Sequence, residues 1–181
     1  MTNTFRIRMV ERGESARLSA LACETFVDTF GELYSESDMT TFLEEHHTQE
    51  NYDRLIADDR YALWVLIKDS LDDDHLNDDL FGYAVAGPCG LPVPNVPSNA
   101  GELKRLYVRS DLQSSGQGGK LLVEAIEWLT AHFTHTYLSV YADNLRAHRF
   151  YERYGFRKFH EYKFRVGEQL DPEWIMELSD H

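Results

Sequence analysis

The feature that most constrains the fold of this chain is a glycine-rich turn, Gln113-Ser114-Ser115-Gly116-Gln117-Gly118-Gly119-Lys120. The turn follows a segment with the pattern of a strand, Glu102 to Val108, and precedes a segment with the apolar spacing of a helix, Leu121 to Ala131. Such a turn directs several backbone N–H groups toward one point, and the helix dipole adds positive charge there. The pattern predicts a site for a phosphate or pyrophosphate.

Two common phosphate motifs do not fit this turn. A P-loop requires Gly-x-x-x-x-Gly-Lys-Ser/Thr, but Ser114 stands at the first glycine position and Leu121 replaces the final Ser or Thr. A dinucleotide fingerprint requires Gly-x-Gly-x-x-Gly followed after about 20 residues by an acidic residue, and that spacing is absent. Taken alone, the turn is also compatible with an ordinary tight turn.

The remaining periodicities predict a single domain, residues 1–181, in which helices flank a mixed sheet. Residues 69–79 are interpreted as a solvated hairpin tip rather than a metal loop, and the proline-rich residues 87–101 as an irregular connection. Further strands are predicted at 5–10, 61–68, 80–86, 136–141, 156–164 and 174–178. Helices are predicted at 14–30, from Ser35 or Ser37 to about 47, and from Thr48 to about 58. Two more are predicted, one from the glycine turn to about 133 and one from Asn144 to about Tyr154, where Gly155 would end it.

The composition excludes several classes of protein. A hydrophobic content of 43% in 181 residues is typical of a globular domain rather than a disordered chain. No apolar run approaches the ~20 residues that span a bilayer, and the N-terminal residues lack the apolar core of a signal peptide. Cys23 and Cys89 match no metal or redox spacing. We therefore expect a cytoplasmic protein with no membrane partner and no metal.

The net charge of -13 is distributed unevenly along the chain. Residues 1–80 hold 19 Asp and Glu against 7 Lys and Arg, whereas residues 81–181 hold 12 against 11. A surface of this charge is a poor partner for nucleic acid and a better one for a cationic ligand. The alternative is that the acidity serves only solubility.

Two motifs together resemble the GCN5-related N-acetyltransferase (GNAT) superfamily. Gln-x-x-Gly-x-Gly after Leu106-Tyr107-Val108 is similar to its acetyl-CoA loop, and residues 144–156 are similar to its Asn-x-x-Ala-x-x-Phe-Tyr-x-x-x-Gly-Phe segment. The resemblance implies an α/β (α+β) fold with a central mixed, mostly antiparallel sheet of six to seven strands flanked by about five helices. It also implies transfer of acetyl from acetyl-CoA to a primary amine, by direct attack in a ternary complex.

A looser resemblance narrows the range of amines that could be the acetyl acceptor. Residues 24–30, and residues 164–167 followed by Ile175-Met176, resemble PaiA-type polyamine N-acetyltransferases. This implies spermidine or spermine as the acceptor, which suits the acidic half of the chain. The alternatives are another cationic amine (an aminoglycoside, a protein lysine or an N-terminus) or a CoA-binding regulatory module without turnover. The oligomeric state is left open between a monomer and a homodimer.

The resemblance implies a role for each residue of the two motifs. The strand should part from its neighbour after Tyr107 or Val108, and the Val108 N–H should then stabilise the oxyanion of the thioester. Backbone amides of the turn should hold the pyrophosphate, with Gln113 or Lys120 reaching phosphate oxygens unless Lys120 is merely solvated. The implied cofactor contacts are Leu106, Tyr107, Val108, the eight residues from Gln113 to Lys120, Asn144, Ala147, Phe150 and Tyr151.

The catalytic assignments follow from the same resemblance. Tyr151 is implied as the acid that protonates the departing thiolate, with Tyr154 as a substitute if the helix is rotated. Many relatives use a Glu on the strand before the loop as the base for the acceptor amine. That position is Lys104 here, so the candidate is Glu102, two residues earlier on the same face, unless Glu102 and Lys104 form an ion pair.

Weaker candidates complete the sequence-based site. His160 and Glu161 are alternative bases. Asp28 and Glu32, near the end of the first helix, are candidates for binding the acceptor ammonium, or else solvated helix-end charges.

Overall fold

A mixed seven-stranded sheet runs through the residues that the computed structural model describes, 4–68 and 79–179. The strand order is β1-β2-β3-β4-β5-β7-β6, and all neighbours are antiparallel except β4 and β5. The strands are β1 Phe5–Met9, β2 Ala62–Lys68, β3 Leu80–Pro88, β4 Ala100–Val108, β5 His135–Tyr141, β6 Phe156–Val166 and β7 Gln169–Leu178. The helices are α1 Ser15–Phe30, α2 Glu36–His46, α3 Gln49–Ala57, α4 Gln117–His132 and α5 Leu145–Arg153. The predicted fold class, with its mostly antiparallel sheet of six to seven strands and about five helices, is confirmed.

The central strands are apolar throughout because helices cover both faces of the sheet. Along β2, Trp64 and Leu66 join a core cluster with α4, whereas Val65 and Ile67 join a second cluster with α1 and α3. This alternation is the period-two geometry of a strand with two buried faces. The sheet therefore has two faces, which we call the α4 side and the α1 side. A ligand that contacts both faces must pass through an opening in the sheet.

The helix starts follow the predicted capping residues. Ser35, rather than Ser37, accepts a hydrogen bond from the Asp38 N–H at 3.1 Å, and Thr48 accepts one from the Asn51 N–H at 3.2 Å. Asn144 caps α5 in the same way, 3.0 Å from the Ala147 N–H. Each side chain satisfies an N–H group that the first turn of the helix leaves without a partner.

The two hairpins β3–β4 and β6–β7 are longer than their side-chain patterns predicted, whereas β1 and β2 are each one residue shorter. Backbone pairing extends β3 and β4 until Pro88 meets Gly101, and it extends β6 and β7 until Val166 meets Gln169. The predicted irregular segment 87–101 therefore shrinks to 89–99. Ladder hydrogen bonds continue where hydrophobic alternation has ended, so periodicity underestimates the length of a hairpin. The predicted tip at 69–79 lies outside the described residues, apart from its last residue.

The parallel contact between β4 and β5 is short. It runs from Ala100 paired with His135 to Leu103 paired with Leu138 and then stops. Beyond that point β4 stays paired with β3 as far as Val108, and β5 stays paired with β7 as far as Tyr141. The expectation that the strands part after Tyr107 or Val108 is wrong, because they part after Leu103. The result is a wedge-shaped gap in the middle of the sheet.

No helix in the two described stretches of the chain is long and apolar enough to cross a membrane.

Candidate active site

The gap between β4 and β5 exposes backbone hydrogen-bonding groups of β4. The Arg109 N–H donates to the Phe81 carbonyl at 2.9 Å, so it points toward β3. Because successive N–H groups of a strand point in opposite directions, those of Val108 and Leu106 point away from β3 and into the gap. Since β5 is not paired there, a ligand in the gap can accept both hydrogen bonds.

The glycine turn continues directly from this edge. A 3₁₀ turn that the sequence did not reveal, Ser110–Leu112, comes first. Ser114 and Gly116 then adopt positive φ angles of 66° and 86°, and Gly116 is the N-cap of α4. Glycine relieves the steric cost of that conformation at the helix start.

The start of α4 has the geometry of an anion site. The Lys120 N–H donates to the Gly116 carbonyl at 3.3 Å and is the first helical hydrogen bond. The N–H groups of Gln117, Gly118 and Gly119 therefore have no helical acceptor and point out of the positive end of the helix. The side chain of Lys120 is exposed beside them. This geometry fits the pyrophosphate site that the sequence predicted.

Arg146 is a residue of this site that the sequence analysis missed. It lies in α5, and its guanidinium donates to Gln113 Oε1 at 2.9 Å and to Ser114 Oγ at 3.1 Å. A cation is thereby held at the turn, where it can also reach a phosphate oxygen. The only sequence signal was its position two residues after the Asn144 cap, which carries no meaning without the fold.

The residues of α5 lie on the α4 side of the gap. Ala147, Phe150 and Tyr151 pack against the core cluster of α4. Burial raises the pKa of Tyr151 above its usual range, so its hydroxyl is protonated at neutral pH. The Tyr154 hydroxyl lies instead against Gly119, where a Cβ would collide with it.

Tyr107 joins the two sides of the sheet. Its ring packs with α1 and α2 residues on the α1 side and stacks on Tyr83 at 5.8 Å between centroids. Burial raises the pKa of Tyr107, and the neighbouring Tyr151 adds to that effect, so the two hydroxyl groups lie within electrostatic reach of each other. Tyr151 on one side and Tyr107 on the other therefore flank the gap.

Glu102 and Lys104 form the ion pair that the sequence left as an alternative. Lys104 Nζ donates to Glu102 Oε2 at 2.8 Å, and the Gly90 N–H donates to the same oxygen at 2.8 Å. The Glu102 residue is 8% exposed. Its carboxylate is thus paired with a lysine and largely covered.

The weaker sequence candidates lie at more exposed positions. Asp28 accepts a hydrogen bond from Ser110 Oγ at 3.3 Å, and Glu32 is exposed just after α1. On the edge strand β6, His160 is exposed and Glu161 is paired with Lys158.

A cluster of acids and tyrosines on the α1 side was missed by the sequence analysis. Tyr162 donates to Glu173 Oε2 at 2.9 Å, and Ser139 Oγ lies 2.9 Å from the Tyr162 hydroxyl. Tyr34, which stacks on Phe26 of α1, donates to the buried Asp171. The side-chain pattern predicts a strand only from residue 174 onward, so both acids lie outside the predicted elements although they belong to β7.

Burial has the largest effect on the Glu173 carboxyl and raises its pKa to about 7. The hydrogen bond from Tyr162 opposes that shift, whereas the charges of Asp171 and Glu102 add to it. Glu173 therefore changes charge near neutral pH. Within residues 4–68 and 79–179, no group of three or more His, Cys, Asp or Glu side chains is arranged to hold a metal ion.

Comparison with known proteins agrees with this geometry. The model of the acetyltransferase (GNAT) family matches residues 22–156. An uncharacterised N-acetyltransferase from the pepI 3′ region of Lactobacillus delbrueckii subsp. lactis is 26% identical over 178 residues, which is 96% of each chain.

Solved structures share the fold over nearly the whole chain. PaiA N-acetyltransferase from Thermoplasma acidophilum, in complex with coenzyme A, superposes with a TM-score of 0.72 at 21% identity, covering 96% of this chain and 98% of that one. Arabidopsis thaliana NAA60, in complex with a bisubstrate analogue, superposes with a TM-score of 0.69 at 17% identity, covering 97% and 98%.

We predict that Gly118→Val lowers CoA affinity at least about tenfold, or about 1.4 kcal/mol, in a calorimetric titration. A Cβ at position 118 would lie 3.4 Å from Val108 Cγ2, an ordinary contact, so the helix itself tolerates a side chain there. The added methyl groups would stand where the pyrophosphate approaches the amides. Glu124→Ala, on the exposed side of the same helix, serves as the control and should bind normally. Equal affinity for both variants would refute the loop assignment.

Proposed function

The chain belongs to the acetyltransferase (GNAT) family and is an acetyl-CoA-dependent N-acetyltransferase, and we propose that its acceptor is a polyamine such as spermidine or spermine. The observation that carries the proposal is the pair of acids, Asp171 and Glu173, on the α1 side of the gap. Carboxylates that are buried, as in Asp171, or partly buried, as in Glu173, favour a positively charged ligand over a neutral one. The acidic first 80 residues extend the negative potential around that side.

We propose that acetyl-CoA enters from the α4 side. Its pyrophosphate would bind the amides of the turn and Arg146, and its pantetheine would pair with the backbone of Leu106 and Val108 like an added strand. Asn144, Ala147 and Phe150 would line the same channel. The Val108 N–H then meets the thioester oxygen, and one such donor stabilises a developing oxyanion by roughly 3 kcal/mol.

Tyr151 is the proposed acid for the departing thiolate. Its buried, protonated hydroxyl lies on the α4 side of the gap, where the sulfur of a cofactor bound in this way would be. Thiolate expulsion from the tetrahedral intermediate is faster when a proton is transferred to the sulfur.

Direct attack on the thioester is favoured over an acetyl-enzyme. Burial raises the pKa of Cys23 and of Cys89, so neither thiol is activated as a nucleophile. Both are free thiols, which supports a reducing cytoplasm as the location of the protein.

We propose that Asp28 and Glu32 attract the ammonium groups of the acceptor that do not react. Both carboxylates are exposed near the end of α1. A polyamine carries several ammonium groups along a flexible chain, so one group can react while others are attracted to such acids.

We predict that Tyr151→Phe lowers kcat at pH 7 by about 10²-fold, since the proton donor is lost. Acetyl-CoA affinity should change by less than about threefold, because the ring packing is kept. Tyr154→Phe should retain kcat, because that hydroxyl faces Gly119. The measurement is steady-state thiol release combined with calorimetry. Unchanged kcat in Tyr151→Phe would exclude it as the acid.

We predict that spermidine and spermine have the highest kcat/KM in a thiol-release panel with an aminoglycoside, a lysine peptide and a peptide with a free N-terminus. Their kcat/KM should fall several-fold as salt rises from about 0.01 to about 0.15 M, where the screening length drops from about 30 to about 8 Å. A monoamine should be less sensitive to salt.

Other outcomes of the panel contradict the acceptor assignment in separate ways. Preferred turnover of a peptide N-terminus or an aminoglycoside would replace the polyamine. Tight acetyl-CoA binding without thiol release on any amine would indicate a regulatory module.

A further inference from the structure

We propose that Glu173 is the general base that removes the proton from the acceptor ammonium, directly or through one water molecule. This is the role that the sequence pattern assigned to Glu102. The inference rests on acetyl transfer to a protonated amine, and it holds whichever amine the enzyme accepts.

The position of Glu173 follows from the register of the sheet. Glu173 is paired with Tyr141, the last residue of β5. The contact between β5 and β4 stops three residues earlier, at Leu138. Glu173 therefore lies on β7, the strand on the other side of β5 from the gap, at the level where the gap is open.

The carboxyl faces the side from which the acceptor would approach. Asp171 and Glu173 share one face of β7 by alternation, and Asp171 is bound by Tyr34 on the α1 side. Both Glu173 and Tyr151 raise the pKa of Tyr107, so both lie within electrostatic reach of that hydroxyl. Base and acid thus lie on opposite faces of the sheet, Glu173 on the α1 side and Tyr151 on the α4 side.

Two consecutive hydrogen bonds hold the Glu173 carboxylate in place and leave one of its oxygens without a hydrogen-bond donor. The Tyr162 hydroxyl binds Oε2, and Ser139 supports Tyr162. In the described part of the chain, no hydrogen bond engages Oε1. Glu173 is partly exposed, so a water molecule or an ammonium group can reach that oxygen. Glu102, in contrast, is covered and holds Lys104.

The surroundings of Glu173 suit proton transfer at neutral pH. The groups that face it are Tyr162 of β6, Asp171 of β7, Glu102 and Tyr107 of β4, Tyr141 of β5 and Tyr34 after α1. Burial is the largest cause of a carboxyl pKa of about 7; the charges of Asp171 and Glu102 add to it, and the hydrogen bond from Tyr162 opposes it. A base is most effective when its pKa lies near the working pH, because it is then both ionised and basic enough.

The proton balance of the reaction is complete with these residues. The ammonium gives one proton to the Glu173 carboxylate, which later releases it to water. The freed nitrogen lone pair forms the C–N bond, and the C–S bond breaks. Tyr151 protonates the thiolate and is reprotonated by the second proton that leaves the nitrogen. The net products are the acetamide, CoA thiol and one proton.

The test is the pH dependence of kcat/KM for the best amine of the panel. Wild type should lose activity as the pH falls through about 7, because Glu173 becomes protonated. Glu173→Gln should lose about 10²-fold or more at pH 7 together with that inflection, while acetyl-CoA affinity stays within about threefold. The matched control is Glu177→Gln, which lies on the same face of the same strand but is hydrogen-bonded to His135. It should keep the wild-type kcat/KM at pH 7 and the inflection of the pH profile.

Two further variants should move the inflection in opposite directions. Tyr162→Phe removes the hydrogen bond that lowers the Glu173 pKa, so the inflection should move to higher pH. Asp171→Asn removes a negative charge that raises the Glu173 pKa, so the inflection should move to lower pH. A purely structural role of Glu173 predicts neither shift, and these variants remain informative if Glu173→Gln folds poorly.

The outcomes separate this inference from the acceptor proposal. If spermidine is not turned over but another amine is, the acceptor proposal fails while the pH series still tests Glu173. An inflection that persists in Glu173→Gln and disappears in Glu102→Gln would overturn the inference in favour of Glu102. An inflection unmoved in all four of the Glu173, Glu102, Tyr162 and Asp171 variants would also overturn it.

Discussion

The structure depends on the early end of the contact between β4 and β5. Four residue pairs, from Ala100–His135 to Leu103–Leu138, hold the two halves of the sheet together, and beyond them each strand is held only by its outer neighbour. Backbone N–H groups left without partners inside a fold are costly, so the gap favours a ligand that can complete the ladder. A pantetheine chain supplies the amide and carbonyl groups of such a strand.

The gap also brings together two sides of different chemistry. On the α4 side, a helix N-terminus and Arg146 favour an anion, and on the α1 side Asp171 and Glu173 favour a cation. The Tyr107 ring lies on the α1 side, within electrostatic reach of Tyr151. An anionic acyl donor and a cationic acceptor can therefore approach from opposite sides and meet at the Val108 N–H, without sharing a binding surface.

The sequence predicted the features that depend on local order. Periodicity located the strands and helices, Asn144 and Gly155 marked the ends of α5, and the glycine spacing located the turn at the start of α4. It could not predict where β4 and β5 part, because that depends on how many residue pairs two distant segments form. It missed Arg146 and Glu173 for the same reason: each acquires meaning only from the turn or the strand that the fold places beside it.

The most direct test of this account is a crystal structure with a bisubstrate analogue in which CoA is joined through the acetyl carbon to spermidine. The account predicts the acyl oxygen about 3 Å from the Val108 N–H, the sulfur near the Tyr151 hydroxyl, and the reacting nitrogen within one water molecule of Glu173. An acyl group bound outside the gap between β4 and β5, or a nitrogen directed away from the α1 side, would contradict it.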